Sequence, residues 1–133
     1  MTHTFPLTVY YEDTDMGGIV YHANYLKFIE RARSTWVAEL GVDQRALREA
    51  GTIFVVRRIE SDFLAPATLG DHLTVTTESE SQTNARWILR QTVMRGEKTL
   101  FDARVTVVAM GLNGRPQRLP AELRAAAASR GAK

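Results

Sequence analysis

Residues 24–40, NYLKFIERARSTWVAEL, decide the fold. Tyr25, Phe28, Ile29, Ala32, Trp36 and Leu40 recur at i, i+3, i+4 spacing and line one helix face, while Lys27, Glu30, Arg31, Ser34 and Glu39 fall largely elsewhere. Leu26 and Val37 make the apolar face broader than a surface helix needs, so this is read as a central helix wrapped by other elements. Gly41 is placed to end it as a C-cap. Before the helix, Leu7, Val9 and Tyr11 alternate with Pro6, Thr8 and Tyr10, which predicts a short strand over residues 5–12. After it the period falls to two. TIFVVRRIESDFL (52–64), HLTVTTESES (72–81), ARWILRQTVMR (85–95) and TLFDARVTVVAM (99–110) read as strands, separated by turns at APATLGD, SQTNA and RGEK. In the last of them Phe101, Ala103, Val105, Val107 and Ala109 share one face; Asp102, Arg104 and Thr106 share the other. A short helix is expected over residues 120–129.

One strand and one helix followed by four strands, with no helices between them for crossovers, predict an α+β fold: an antiparallel sheet of about five strands wrapped around one long central helix. The 133 residues, 44% apolar and 24% charged, suit a single domain spanning 1–133. A chain of this size buries roughly two thirds of its unfolded surface and needs no metal or disulfide to hold a core. A sheet curved around one helix leaves its other face open, and Ile88, Arg90 and Met94 fall there. Association into a homodimer or a larger homo-oligomer would cover it; a monomer with a polar outer face is the competing reading.

The absence of cysteine removes thiol nucleophiles, thiolate metal sites and redox pairs, and three histidines without metal spacing leave no metal site to expect. No apolar run approaches the roughly 20 residues of a membrane span, and the opening residues carry no basic segment followed by an apolar one. The expected location is the cytoplasm. Net charge is only +2; residues 101–133 carry six Lys or Arg against two acids, without interleaved aromatics, so nucleic acid is not an expected partner. Serine-hydrolase elbows, phosphate loops, dinucleotide fingerprints and zinc-protease motifs are all missing.

What remains is EDTDMGGIVYHANY, residues 12–25, joining the first strand to the central helix. Three carboxylates, Glu12, Asp13 and Asp15, precede Gly17 and Gly18, where the chain can take positive φ or let a ligand approach the backbone. Beyond lies a helix N-terminus, whose free N–H groups favour negative charge. Together these could carry acyl transfer, with Asp15 attacking a carbonyl or activating water and N–H groups near His22 stabilising the oxyanion. Each residue also has a plain structural reading. Asp15 fits a turn or cap, His22 a hydrogen bond to the turn, Asn24 the helix N-cap, and Tyr21 and Tyr25 packing; Glu12 and Asp13 fit solvated carboxylates. His3 and His72 have no evident partner.

The run YYEDTDMGGIVYHANYLKFIERAR, residues 10–33, closely resembles the signature of hotdog-fold acyl-CoA thioesterases of the YbgC and 4-hydroxybenzoyl-CoA type, matched by Thr14, Asp15, Gly18, Ile19, Val20, His22, Tyr25 and Phe28. VYHANYLKF (20–28) resembles the YbgC branch in particular. The resemblance implies a sheet around a long helix, paired through sheet edges into dimers and often a homotetramer, with the site between subunits. It implies acyl-CoA thioester hydrolysis, leaning to short aliphatic chains. In that chemistry Asp15 is nucleophile or general base, the N–H near His22 is the oxyanion donor, and His22 positions water or substrate. Gly18, Val20 and Tyr25 are the implied substrate-binding positions. No cofactor is implied, CoA being part of the substrate. Acyl carrier protein thioesters are an alternative substrate, and a non-catalytic interaction module linked to the cell envelope is the alternative from another class. Basic residues for CoA, with Arg57, Arg58, Arg86 and Arg90 as candidates by charge, are not assigned by the motif.

Overall fold

The expected helix is α1, Asn24–Glu39, and its buried residues are Tyr25, Phe28, Ile29, Ala32, Trp36 and Val37. Gly41 takes φ 90° just beyond it and donates its N–H to Ala38 O at 3.0 Å, the left-handed ending that only glycine adopts without strain. The computed structural model describes residues 2–124. In it α1 packs against β1 (His3–Thr8), β3 (His72–Gln82) and β4 (Arg86–Arg95). β5 (Lys98–Gly111) and β2 (Thr52–Phe63) continue the sheet in the order β1-β3-β4-β5-β2, all antiparallel. A two-residue strand, β6 (Pro116–Gln117), pairs with the end of β5 at Ala109 and Met110. The core lies between α1 and the concave face, where Trp36 meets Trp87 at 5.3 Å between ring centroids and Val75, Leu89, Val105 and Ala109 are almost wholly buried. Burial alternates along β5 as its sequence predicts.

Two details differ from the expectation, and a third is met only in part by the described residues. The first strand runs over His3–Thr8, not 5–12, because the Asp13 carboxylate accepts the Tyr10 N–H at 2.9 Å and folds Tyr11–Asp13 into a 3₁₀ turn, leaving Tyr11 83% exposed. A second helix, α2 (Gln44–Glu49), was not expected; Asp43 caps it by accepting the Arg45 and Ala46 N–H groups at 2.9 and 3.2 Å. Of the helix expected over 120–129, Pro120 is not helical, residues 121–124 are helical and residues 125–129 lie outside the described residues, as do Arg130 and Lys133.

The outer face of the sheet is laced with ion pairs. Arg90 meets Asp102 at 3.3 Å, Arg104 meets Glu80 at 2.6 Å and Arg58 meets Glu60 at 3.6 Å, with Ile88 and Met94 half-buried among them. On the concave face α1 stands over β1, β3 and β4 and leaves a cavity of about 250 Å³ toward β2, lined by Arg33, Val37, Phe54, Trp87, Val107 and Leu123 among others. Among the described residues no helix is long and apolar enough to cross a membrane.

Candidate active site

The segment singled out by the sequence folds into a small tethered turn. Thr14 bridges Val20 in antiparallel fashion, and Ile19 bridges Thr68 of the loop between β2 and β3. At the tip Asp15 Oδ1 accepts the Gly17 N–H at 2.8 Å, Asp15 O accepts the Gly18 N–H at 3.0 Å, and Asp15 donates its own N–H to Ile19 O at 2.9 Å. Glycine suits both positions, most of all the second. A Cβ on Gly17 would stand 3.2 Å from Asp15 Oδ1, and Gly18 sits at φ 80°. Asp15 is thus the turn-forming residue of the plain structural reading, yet its carboxylate is exposed, and Oδ2 makes no hydrogen bond among the described residues. The turn fixes the rotamer of a charged group and leaves one of its oxygens open.

Four residues after Val20 comes the start of α1. Tyr21 donates its N–H to Asp13 O at 2.9 Å, and helical bonding begins with Asn24 N–H to Tyr21 O at 2.8 Å. Between them the N–H groups of His22 and Ala23 have no acceptor among the described residues. They are donors at the positive end of a 16-residue helix dipole. No hydrogen bond joins Asp15 to His22. The His22 ring is exposed and lies against Tyr21 (4.6 Å between centroids) and edge-on to Phe63 (6.1 Å).

Val20 and Tyr25, expected to meet substrate, are each only 3% exposed and belong to the core. Tyr25 stacks on Phe101 at 5.1 Å, and its hydroxyl accepts the Ala67 N–H at 3.2 Å; Ala67 O in turn accepts the Val20 N–H at 2.9 Å. Burial raises the Tyr25 hydroxyl above its ordinary range, so it stays neutral and acts as a strut. Asn24 is not the N-cap: Ala23 holds that position, and the Asn24 amide instead donates to Asp13 O at 2.9 Å. Asp13, read as solvated, is 8% exposed, and its carboxylate and carbonyl tie strand end, turn and helix start together. His3 finds Glu39 at 3.0 Å and stacks on Trp36, and His72 finds Thr8 at 3.1 Å. Sequence reasoning missed Phe63, which joins Tyr25, Phe101 and His22 in one aromatic cluster while remaining 53% exposed. Its only signal was a large apolar residue at the end of a strand. Among the described residues no group of three or more His, Cys, Asp or Glu could hold a metal ion.

Residues 9–127 match the thioesterase-like superfamily. The chain is 41% identical over 118 residues to an Escherichia coli protein named acyl-CoA thioester hydrolase YbgC, which covers 87% of this chain and 88% of that one. Over 125 residues it is also 41% identical to the acyl-CoA thioesterase YbgC of Haemophilus influenzae, covering 92% of each. This chain belongs to the thioesterase-like superfamily. A crystal structure of a probable thioesterase from Bartonella henselae, 37% identical, superposes with a TM-score of 0.86 over 90% of this chain and all of that one. The fold is accordingly the hotdog fold expected from the motif.

In this thioesterase-like chain a second turn holds the first in place. The Asp71 carboxylate accepts the Thr68 N–H at 2.9 Å and the Arg95 guanidinium at 2.9 Å. The Thr68 N–H, and after it Arg95, hold the Asp71 carboxyl below the usual carboxylate range. A depressed native pKa means stability that is present above the unfolded value of about 4 and is lost as pH falls through the native one. Asp71→Asn should therefore melt below wild type at pH 7, and the difference should shrink as pH drops from about 4 toward 2. Melting curves offset by the same amount at every pH would refute the assignment.

Proposed function

We propose that this chain, a thioester hydrolase like the relatives it matches, cleaves acyl-CoA thioesters with short aliphatic acyl groups to a carboxylate and free CoA, in the cytoplasm and without a cofactor. One observation carries the reading: Asp15 is held by the Gly17 N–H with its other oxygen free, on the turn that leads through Val20 to the unpaired N–H groups of His22 and Ala23 ahead of α1. A thioester carbonyl is weakly stabilised by resonance and its thiolate leaves readily, so modest machinery suffices. Asp15 takes a proton from water as that water adds to the carbonyl, or adds itself and forms a mixed anhydride that water then opens. The N–H groups of His22 or Ala23 donate to the developing oxyanion, and CoA departs as the thiolate. His22 is placed to orient water or the acyl group.

The site is completed by a second copy of the chain. In one copy Asp15 and His22 face solvent, and the large side chains beside them in sequence or in the loops that hold the turn are bare: Met16 at 104% exposure, Phe63 at 53%, Leu64 and Leu69 each at 58%. Oxyanion stabilisation is strongest where water is excluded. β2 also ends the sheet with an unpaired edge, an available seam for a dimer or tetramer.

Thiol release from a panel of aliphatic and aromatic acyl-CoAs, repeated across a dilution series with sedimentation in parallel, tests both parts. The expected result is turnover that prefers short aliphatic chains and is lost as the oligomer dissociates. A fully active isolated monomer would overturn the shared site. Release only from acyl carrier protein thioesters would move the substrate, and release from neither would leave the fold as an interaction module.

A further inference from the structure

We propose that Asn24 is a positioning residue for the hydrolysis: through the Asp13 carbonyl its side-chain amide sets where the Asp15 turn stands against the chain entering α1. The role rests on the reading above, in which Asp15 and the N–H groups ahead of α1 act on one thioester carbonyl. A short ladder joins those two parts. The Asp15 N–H donates to Ile19 O at 2.9 Å, Thr14 bridges Val20, and the Tyr21 N–H donates to Asp13 O at 2.9 Å. Asp13 O is the last rung before the helix, and it accepts a second bond, from the Asn24 amide at 2.9 Å. Both lone pairs of that carbonyl oxygen are then in use. Among the described residues this is the only side-chain hydrogen bond from α1 to residues 10–23; the others reach Ala67, Gln91, His3 or α1 itself.

Asn24 also grips the other end of Tyr21. Its backbone N–H donates to Tyr21 O at 2.8 Å, so one residue holds Tyr21 directly at its carbonyl and, across Asp13 O, at its N–H. In a trans peptide the N–H points opposite to the preceding C=O. With Tyr21 O turned toward Asn24, the His22 N–H is turned away from the helix body and aimed outward. The next bonds of the turn are slacker, Leu26 N–H to Ala23 O at 3.2 Å and Tyr25 N–H to His22 O at 3.3 Å, and they constrain that orientation less. The direction of the side-chain bond separates this role from capping. A cap accepts helix N–H groups through its oxygen, whereas Asn24 donates through its nitrogen to a carbonyl outside the helix. Asp13 is itself 8% exposed, and its carboxylate accepts the Tyr10 N–H at 2.9 Å, so the group that Asn24 holds is anchored to the chain leaving β1. A misplacement of about 1 Å between catalytic groups and the reacting carbon costs about a hundredfold in rate.

Asn24→Ala removes the amide, leaves the Tyr21 N–H on Asp13 O, and puts the best helix former into the first turn of α1, so no backbone group of the rung is left unpaired. Melting should stay within about 2 °C of wild type. On acyl-CoA, kcat should fall about tenfold to a hundredfold with KM unchanged, because the oxyanion demands the alignment more than the ground-state carbonyl does. A CoA thioether carrying a trifluoromethyl ketone, which becomes a tetrahedral oxyanion when water or a carboxylate adds to it, should lose affinity by the same factor, while a plain S-alkyl CoA binds as to wild type. Asn24→Asp keeps the shape of asparagine without a donor, and its kcat should fall at least as far. Amide NMR reads the geometry without substrate: in Asn24→Ala the His22 and Ala23 N–H signals should shift or broaden, with those beyond Phe28 in place. Wild-type kcat in either variant, unmoved His22 and Ala23 signals, or equal weakening of both CoA thioethers would overturn the role, and a melting point lowered in step with kcat would make Asn24 structural only. If wild type hydrolyses no acyl-CoA, the thioesterase reading fails by itself, and the amide signals still decide whether Asn24 holds this part of the chain.

Discussion

Asp15→Asn is expected to lower kcat on acyl-CoA by roughly 10² to 10⁴, the range for loss of a positioned acid-base or nucleophilic group. The substitution is informative because of how Asp15 is held. Its Oδ1 accepts the Gly17 N–H, and an asparagine carbonyl oxygen accepts the same bond, so the turn, the Thr14 to Val20 bridge and the start of α1 keep their places. The oxygen that is lost as a base is the other one, which makes no hydrogen bond among the described residues. Unchanged melting together with a large fall in kcat would assign the defect to chemistry. A folded Asn variant that keeps more than about a tenth of wild-type kcat, well short of that expected loss, would remove Asp15 from the mechanism. A single turnover in ¹⁸O-water then separates the two roles of Asp15. Label entering the Asp15 carboxylate marks nucleophilic attack; label confined to the acid product marks water added at the acyl carbon, and trapping with hydroxylamine then tells an anhydride opened at that carbon from general base catalysis.

How much of this was legible in the sequence depends on whether the signal was periodic. The face of α1 and the alternation of β5 were read correctly because each repeats over many residues. The ends of elements were set by single side-chain bonds that carry no period. Asp13 reaches back to the Tyr10 N–H and stops β1 early, and Asp43 starts α2 in a stretch with little apolar pattern. Within the site, the motif marked Asp15, Gly18 and His22, which the fold leaves accessible around one turn, but also Val20 and Tyr25, which it buries. A pattern of residue types does not say which of them point outward. Phe63 needed the register of β2 against β5 to be seen at all.

The register also exposes a buried polar knot whose rupture should be the costliest change to stability. Gln91 on β4 is completely buried; its amide donates to Ile29 O of α1 and to Thr77 Oγ of β3, both at 2.9 Å, and its carbonyl accepts from the Arg33 guanidinium at 2.9 Å. One side chain thus pins the central helix to two strands, a turn beyond Tyr25. Burial lowers the Arg33 pKa, which marks a charge already short of solvent. Gln91→Leu keeps the volume near enough to pack, but strips an acceptor from Arg33 and a donor from the wholly buried Thr77. At about 1–3 kcal/mol for each buried group left unpaired, more for a charged one, the expected loss is about 3 kcal/mol, or on the order of 10 °C in Tm. Adding Arg33→Met should restore most of it, because an apolar pair replaces a stranded charge. A Gln91→Leu protein melting within about 2 °C of wild type, or a double variant no better than the single, would mean that water reaches Arg33 and that the helix is held by apolar packing alone.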